Sequence, residues 1–404
     1  MHTSWLCKRQ VASEQVIIGL VEQLTIPVDA LYCQSRVTVG THIYVNRILV
    51  SHMSTQGQLR DQSEFHEILD AFPDGISHAF GYGSGVFAQT SVQKSTSNNE
   101  SPMIDLLFST ENPHTWHQEN LNRNPNHYAF LPRLLGTGFV TVVQNLGARV
   151  YFNPMVQVGT KKERLVKYGV IHDDDLKKDL KEWNCLYLAG RLHKPTHSLI
   201  ASDEITYLQQ EYNLKYAMST ALLILSGRRQ KFRKQNNYEE IDLDEIFEVI
   251  AGLSYTGDPR KTLGAEDPRK VTKLVHSEGQ LDRFISVYKH EFRQLEKLGL
   301  LTLKDDSVET NLIDMSTRKR LYDRMPSNLR KDMKPFFSHE SLDKGIDSPE
   351  AIAVTSKVLN NSIAKIVGPP ARVQTAKGLI TAGVLKSFSY AAAKLSKGVL
   401  KGLR

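Results

Sequence analysis

A glycine-rich turn is the first segment of the sequence whose residue types suit chemistry. It reads His78-Ala-Phe-Gly-Tyr-Gly-Ser-Gly-Val-Phe87, which predicts a strand that ends at Tyr82 and a turn that opens a helix. Gly83 and Gly85 would let the backbone approach a ligand and direct its N–H groups at an anion, and Ser84 would add a hydroxyl donor. The segment lacks the longer dinucleotide fingerprint and the Lys-Ser/Thr ending of a P-loop, and Gly-Ser-Gly is also common in plain turns.

A carboxylate inside an apolar strand is the second candidate. Residues 103–108 read Met-Ile-Asp-Leu-Leu-Phe, and Glu111 follows six residues after Asp105. An aspartate among apolar neighbours is costly when it is buried without a partner. Asp105 either accepts backbone hydrogen bonds at the strand end or binds a hard cation such as Mg²⁺, which prefers oxygen ligands. On the second interpretation we expect Asp105 to hold Mg²⁺ beside the turn, with Glu111 as a second carboxylate ligand.

Taken together, the turn and the carboxylate resemble the layout of polymerase-β-like nucleotidyltransferases. In that fold a strand, a Gly-Ser turn and a helix precede an aspartate-bearing strand. The resemblance implies that the turn at residues 83–85 holds a nucleoside triphosphate and that Asp105 holds the metal. The chain departs from the usual pair of aspartates, because the position two residues after Asp105 is Leu107.

The pattern of apolar residues predicts two regions around these candidates. Up to about residue 200, strand-like runs alternate with a helical one, which is typical of an α/β or α+β domain. The strand-like runs are residues 138–144, 149–152, 165–171 and 185–188, and the helical run is 173–183. Later runs are helical, at 204–227, 242–252, 269–275 and 281–298. We therefore expect an α+β fold, with the candidate site in residues 61–200 and a helical domain in residues 201–335.

Composition and charge limit the class of protein. Of the 404 residues 40% are hydrophobic and 24% are charged, and no apolar run approaches the ~20 residues that cross a bilayer. Cys7, Cys33 and Cys185 show no paired spacing, which argues against a disulfide framework and a thiolate zinc site. The net charge of +7 equals the number of bases in residues 371–404, a stretch without Asp or Glu. The remaining chain is neutral, so we expect no nucleic acid as a partner.

Both ends of the chain are expected to lie outside the folded domains. Residues 1–60 carry no catalytic motif and are either a leader removed on import or an N-terminal extension. Residues 336–370 are expected to be a linker, which Pro369-Pro370 ends. The tail, residues 371–404, repeats apolar residues at helical spacing opposite a cluster of bases. Such a helix suits an anionic membrane surface, although a helix docked on the protein's own body would also bury one face.

Six sequence blocks in a fixed order carry a closer resemblance. They are residues 78–87, residues 103–108, Trp116-His117 with Asn120, His127 and Tyr128, residues 167–170, residues 186–195 and residues 251–260. In this order they resemble the family of the mitochondrial translocator assembly and maintenance protein, which comprises mitochondrial CTP:phosphatidate cytidylyltransferases (CDP-diacylglycerol synthases). The resemblance runs from about residue 65 to the C-terminus.

This resemblance implies a fold, an activity and a location. The fold would be an α+β polymerase-β-like nucleotidyltransferase domain followed by a helical winged-helix-like domain and the tail. The activity would be Mg²⁺-dependent transfer of CMP from CTP to phosphatidate, which gives CDP-diacylglycerol and pyrophosphate and supplies cardiolipin synthesis. The enzyme would be a peripheral protein on the matrix side of the mitochondrial inner membrane, held on the anionic inner-membrane surface by its tail.

The same resemblance suggests which cations serve the reaction. The phosphate of phosphatidate attacks the α-phosphorus of CTP, so two anions must be brought together by positive charge. Lys167 and Arg191 are the candidates for catalysis together with Asp105. Lys194 and Arg260 are the candidates for nucleotide binding together with the glycine turn. Lys167 could equally be a solvated lysine at a strand edge, whereas Arg191 follows a small Ala-Gly pair that would allow close approach.

Two other functions remain open at this level. One is a non-catalytic peripheral inner-membrane protein that assists assembly of the protein import machinery, which would bind a partner without consuming CTP. The other is a nucleotidyltransferase that acts on RNA ends, and the neutral body of the chain argues against it.

Overall fold

A mixed five-stranded sheet carries the candidate residues of the first half of the chain. Its strands are β1 (His78–Tyr82), β2 (Ile104–Thr110), β3 (Val150–Val158), β4 (Arg164–His172) and β5 (Thr196–Ile200). The order is β3-β4-β2-β1-β5, in which β2 and β4 are parallel and the other neighbours are antiparallel. The structure, a computed structural model, describes residues 62–83, 85–87, 102–159, 163–228, 239–262, 267–337 and 349–382.

The two faces of this sheet pack against different helices. Because side chains alternate along a strand, Ile104, Leu106 and Phe108 of β2 lie on one face and Asp105 and Leu107 on the other. The first face is covered by α1 (Gln62–Asp70), α2 (Pro113–Arg123) and α3 (Phe130–Gln144). Leu107 belongs instead to a core shared with the later helices. Asp105 therefore projects from the sheet toward the helical half of the chain.

The second half of the described chain is mainly helical. Its helices are α4 (Asp173–Glu182), α5 (Ala189–Leu192), α6 (Glu204–Arg228), α7 (Leu243–Leu253), α8 (Pro259–Thr262), α9 (Lys270–His276), α10 (Gln280–Lys297), α11 (Met315–Asp323), α12 (Ser327–Met333) and α13 (Pro349–Ala382). A small sheet of order β6-β8-β7 is formed by β6 (Glu239–Asp242), β7 (Thr302–Leu303) and β8 (Ser307–Thr310). Within the described residues, no helix combines the length and the hydropathy that crossing a membrane requires.

The α+β class predicted from the sequence is confirmed, and so are the helices expected at 173–183, 204–227, 242–252, 269–275 and 281–298. Two predicted strands are wrong. Residues 138–144 form the second part of α3, and residues 185–188 form a loop. A short apolar run suits a buried strand and a buried helix equally well, so its hydrophobic pattern alone cannot distinguish them.

The long helix α13 differs from the expected linker. It continues through Pro369 and Pro370, so the prediction that this pair ends the preceding element is wrong. Within residues 349–370 the helix places four apolar side chains in the protein interior, namely Ile352, Leu359, Ile363 and Val367. Each proline removes a backbone donor and crowds the preceding turn. Packing of the helix against α6 offsets that cost, because most helical stability in proteins comes from burial of one face.

The first residues of the predicted tail are packed on the protein's own body. Lys377 is buried, and its ammonium donates hydrogen bonds to the carbonyl oxygens of Gln144, Leu146 and Val150. Burial lowers the pKa of Lys377 to about 8. At Lys377, therefore, the tail is docked on the protein's own body. The predicted membrane contact concerns the rest of the tail, and residues 383–404 lie outside the described residues.

Candidate active site

Asp105 and Lys167 face each other across two parallel strands. They are register partners in β2 and β4, and their side chains project from the same face of the sheet. The Nζ of Lys167 donates a hydrogen bond to Oδ1 of Asp105 at 3.1 Å. The two side chains are 29% and 24% exposed, so a ligand can reach this ion pair from solvent. A carboxylate and a cation are thus held side by side at the start of the two central strands.

The surroundings of Lys167 keep its side chain cationic. Burial by itself would lower the pKa of Lys167, but Tyr82, Asp105 and Tyr187 raise it above its ordinary value. The Nζ also lies 4.8 Å from the centre of the Phe152 ring, a distance at which the aromatic face attracts a cation. Lys167 therefore presents a full positive charge next to the Asp105 carboxylate at neutral pH.

Gly83 and Gly85 are required for two different reasons. Gly83 has a φ of +78°, and a Cβ added there would lie 3.8 Å from Oδ2 of Asp105. A Cβ added at Gly85 would overlap the carbonyl oxygen of Met103, so Gly85 lets the turn pack on the chain that enters β2. The described residues 85–87 form a turn and a single bridge, whereas Ser84 and residues 88–101, where the helix is predicted, lie outside the described residues.

Arg191 is positioned by a loop that folds around a buried carboxylate. Asp179, near the end of α4, accepts hydrogen bonds from four backbone N–H groups in residues 185–189. This loop leads directly into α5, which carries Arg191. The guanidinium lies 4.0 Å from the centre of the Tyr187 ring, and Nη1 donates to the Tyr187 carbonyl oxygen. The cation is therefore held over an aromatic face.

A cavity of about 640 Å³ brings these groups together with residues of the helical half. Its lining includes Gly83, Asp105, Lys167, Arg191, Lys194, Ser254, Tyr255, Asp258, Arg260, Asp267, Lys270 and Lys273. Among the lining residues that the structure describes, six are Lys or Arg and three are Asp. A concave, cationic site with a few convergent polar groups suits a ligand that carries several phosphates.

Lys194 lies where α5 contacts the end of α7, and its side chain bonds to both elements. A Cβ at Gly190 would overlap the Ser254 side chain, so the small Ala-Gly pair allows α5 to approach the end of α7. Across this contact Lys194 donates hydrogen bonds to the Gly190 carbonyl oxygen and to the Ser254 hydroxyl. Burial, followed by the charges of Arg191 and Lys270, lowers the pKa of Lys194 well below its ordinary value. An anion that enters the cavity would stabilise the protonated form of this amine.

Arg260 and Lys273 line the cavity as partners of carboxylates. Arg260 donates to both oxygens of the buried Asp258, and Lys273 is paired with Asp267. The guanidinium of Arg260, one of the cations predicted to bind the nucleotide, is therefore held by its acidic neighbour.

Glu111 is not brought to the same place as Asp105. It is exposed just beyond the far end of β2, and six residues of extended chain separate it from Asp105 by roughly 20 Å. One Mg²⁺ ion cannot bridge that distance, so Glu111 does not complete the expected pair of carboxylates.

Asp105 can nevertheless serve a magnesium ion that is held mainly by phosphate oxygens. Within the described ranges, no cluster of three or more His, Cys, Asp or Glu side chains is arranged to hold a metal. Mg²⁺ commonly takes only one or two carboxylates and completes its shell with water and substrate phosphates. Asp105 fits this role, because Lys167 engages Oδ1 while Oδ2 faces the Gly83 turn.

The sequence block that contains His117 lies behind the site rather than in it. His117 is buried and bonded to the Tyr128 hydroxyl at 2.8 Å and to Oε1 of Gln144 at 2.9 Å. Burial lowers the pKa of His117 to about 4, so its ring is neutral. Asn120 donates to Tyr128 and to Tyr168, the residue that follows Lys167 in β4. This polar network supports the strand that carries Lys167 from the opposite face.

Several cavity residues were not singled out from the sequence. Tyr187 and Tyr255 lie within the sequence blocks 186–195 and 251–260, but their aromatic support of Arg191 and Lys194 has no local signature. Lys273 belongs to a helical run in which a lysine predicts only a solvated face. These residues are identified as part of the site only because the fold places them in the same cavity as Asp105 and Lys167.

Comparisons with known proteins show one family of similar sequences. The sequence profile of the family described as "Phosphatidate cytidylyltransferase, mitochondrial" matches residues 65–397. A mitochondrial phosphatidate cytidylyltransferase of Schizosaccharomyces pombe is 33% identical over 381 residues, covering 91% of each chain. The proteins of the same name from Rattus norvegicus and Xenopus laevis are 34% and 35% identical. They cover 82% and 84% of this chain, and 93% and 96% of their own length is matched.

Proposed function

We infer the reaction of this chain, which belongs to the mitochondrial phosphatidate cytidylyltransferase family, from its relatives and its cavity. The chain is an enzyme that transfers CMP from CTP to phosphatidate and releases pyrophosphate. The observation that carries this function at the level of atoms is the Asp105–Lys167 pair, 3.1 Å apart beside Gly83 in a cationic cavity.

In this reaction a phosphate oxygen of phosphatidate forms a bond to the α-phosphorus of CTP. The bond between the α-phosphorus and the oxygen that bridges to the β-phosphorus breaks, and its electron pair leaves with pyrophosphate. Both reactants are anions, so the protein must hold them close and in line and neutralise their charge. Among the described lining residues Lys and Arg outnumber Asp six to three, and this excess of positive charge favours the approach of two anions.

We assign the roles by position in the cavity. Lys167, at the Asp105 end, contacts the phosphates nearest the reacting phosphorus. Arg191, held over the Tyr187 ring, can present two parallel N–H donors to a phosphate, which a lysine cannot. Lys194 sits at the contact with Ser254 and binds the leaving end of the triphosphate. The backbone at Gly83 approaches the nucleotide closely, because no side chain intervenes there.

Asp105 is the protein ligand that we propose for Mg²⁺. When bound, the ion would neutralise phosphate charge and orient the triphosphate. The contribution of the chain is to aim the carboxylate. The parallel register of β2 and β4 holds Asp105 beside Lys167, and Gly83 leaves room for phosphate oxygens on its other side.

We further propose the finer fold and the location. The five-stranded sheet with its glycine turn supports a polymerase-β-like nucleotidyltransferase domain, and the helices with the three-stranded sheet support a winged-helix-like one. The basic tail supports a peripheral enzyme on the matrix side of the inner membrane, where its product would feed cardiolipin synthesis. Its relatives are named mitochondrial.

The purified chain, incubated with Mg²⁺, phosphatidate and each of the four nucleoside triphosphates, tests this function. We expect pyrophosphate and a liponucleotide with CTP, and much less product with the other nucleotides. A folded chain that releases no pyrophosphate with any nucleotide would contradict the assignment. It would favour the alternative, a non-catalytic role in assembly of the import machinery.

A further inference from the structure

The outer side of α3 exposes an unusual amount of apolar surface. Six large side chains on this helix and the turn after it are between 46% and 66% exposed, namely Phe130, Leu131, Leu134, Leu135, Val142 and Leu146. We call these six side chains the α3 face. Single exposed apolar residues are normal on a protein, but six on one helix and the turn after it mark a surface that contacts something else.

The backbone of α3 contributes to this exposure. Gly136 has a φ of 75° and a ψ of −171°, which interrupts the helix. The short first part therefore stands apart from the second, and four of its six residues are exposed apolar side chains. The second part contributes Val140 and Val143 to the core while Val142 points outward.

The charge around the α3 face selects an anionic partner. Along the sequence, residues 120–162 contain five Lys or Arg and no Asp or Glu, and one of the five, Arg149, is paired with Asp175 of α4. Arg133 is exposed within the face itself. Apolar side chains with interspersed cations and no acid are what a segment needs when it lies in the headgroup region of an anionic bilayer.

The face is also connected to the cavity and to the basic tail. Val367 and Ala371 of α13 line the cavity, and Lys377 of the same helix is bonded to the carbonyl oxygens at the end of α3. Six residues of helix span only about 9 Å. The acid-free residues 383–404 continue from this point and contain five more Lys or Arg.

We propose that the α3 face inserts into an anionic, phosphatidate-containing bilayer and forms a second membrane contact beside the tail. The choice of this lipid rests on the proposed function, since the enzyme must meet its substrate at the membrane. The face anchors the folded body itself. It thereby holds α13 and the cavity that this helix lines near the lipid surface.

The chain offers a matched control on another helix. Ile205, Tyr207 and Leu208 at the start of α6 are exposed to a similar extent. That patch is flanked by Asp203, Glu204 and Glu211, of which Asp203 is paired with Lys177 and Glu211 with His290. An anionic membrane would not attract it. The substituted side chains are exposed to a similar extent in the two patches, and the charged residues next to them in sequence have opposite signs.

The test compares Leu134→Glu/Leu135→Glu with Ile205→Glu/Leu208→Glu by flotation on phosphatidylcholine vesicles that contain phosphatidate. We expect the first variant to lose about tenfold or more in vesicle partitioning, because two leucines no longer enter apolar surroundings, and the second to float like the native chain. Both should keep native turnover of a short-chain, water-soluble phosphatidate. Native-like flotation of the first variant, or an equal loss in both, overturns the proposal.

A second measurement does not depend on the charge substitution. In a Leu134→Trp variant we expect blue-shifted emission and quenching by brominated lipid on vesicle binding, and neither effect in Ile205→Trp. Absence of quenching in Leu134→Trp overturns the proposal. A blue shift without vesicles that disappears on dilution would show a second copy on this face, and one that disappears on truncation after Ala382 would show residues 383–404 there. Either result also overturns it.

The proposed function can fail separately. If the native chain makes no liponucleotide from soluble phosphatidate, the function is wrong, whereas flotation and quenching still report on the α3 face.

Discussion

The Nζ of Lys167 lies 3.1 Å from Oδ1 of Asp105 because the two residues are register partners in adjacent parallel strands. The two residues are 62 positions apart in the sequence, and they do not form a catalytic motif of fixed spacing. The pair nevertheless occupies the place where the glycine turn, the aromatic-supported Arg191 and the helical half of the chain converge on one cavity.

Asp105→Asn should abolish formation of the liponucleotide. The amide keeps the shape of the side chain but removes the negative charge that would hold Mg²⁺, and we expect a loss of about a hundredfold or more in kcat/KM. The matched control is Glu111→Gln, at the other end of the same strand, which should leave turnover unchanged. Turnover is followed by release of pyrophosphate, and thermal unfolding checks that both variants fold. Near-native turnover of Asp105→Asn would refute the metal role.

Asp179→Asn should impair both stability and activity without touching a ligand. Its carboxylate accepts hydrogen bonds from four backbone N–H groups. The amide nitrogen of Asn is a donor, so it would face two of these N–H groups without being able to accept from them. We expect the free energy of unfolding to fall by roughly 2 kcal/mol, the cost of buried donors left unpaired, and kcat to fall because Arg191 loses its position. Asp174→Asn, exposed on the same helix, is the control for denaturant unfolding and turnover. Equal behaviour of the two variants would contradict the positioning role of Asp179.

Binding of CTP should be coupled to proton uptake at Lys194. In the unliganded cavity, burial, Arg191 and Lys270 lower the pKa of Lys194, whereas a bound triphosphate would raise it. Between the lower and the higher pKa the nucleotide-bound protein holds more protons, so affinity for CTP should fall as pH rises, by up to about tenfold per pH unit. Titration calorimetry in buffers of different ionisation enthalpy measures the uptake.

Lys194→Met should remove this proton uptake and weaken CTP binding. Lys178→Met, an exposed lysine on α4, is the control and should retain both. If native CTP affinity is independent of pH across the range in which Lys194 titrates, the coupling does not exist.

Truncation after Ala382 should release the enzyme from anionic vesicles only in part and leave it folded. The basic residues after 382 are lost, but Lys377 keeps its three carbonyl partners and the α3 face remains. Truncation after Pro370 also removes Lys377 and should lower the unfolding temperature. Flotation and thermal unfolding of the two truncated chains separate membrane docking from packing. If truncation after Ala382 leaves flotation unchanged, the result would count against a tail that binds membrane.

The sequence by itself determined the α+β class, most of the helices and the residue types of the site. These follow from local rules: glycines before a turn, a carboxylate among apolar neighbours and apolar residues at helical spacing. It also led to the correct family, because six ordered blocks are far more specific than any one of them. Local rules misplaced residues 138–144, however, since a short apolar run is compatible with either a strand or a helix.

Only the tertiary structure decided which of these residues act together. Strand direction separates Glu111 from Asp105, and parallel register brings in Lys167 instead. The helix α13 runs through Pro369 and Pro370. It buries Lys377, a residue that charge alone assigns to the membrane, against the carbonyl oxygens of Gln144, Leu146 and Val150. Register and packing are set by contacts between residues far apart in the chain, so neither can be read from spacing, and the cavity that they create exists only in the folded protein.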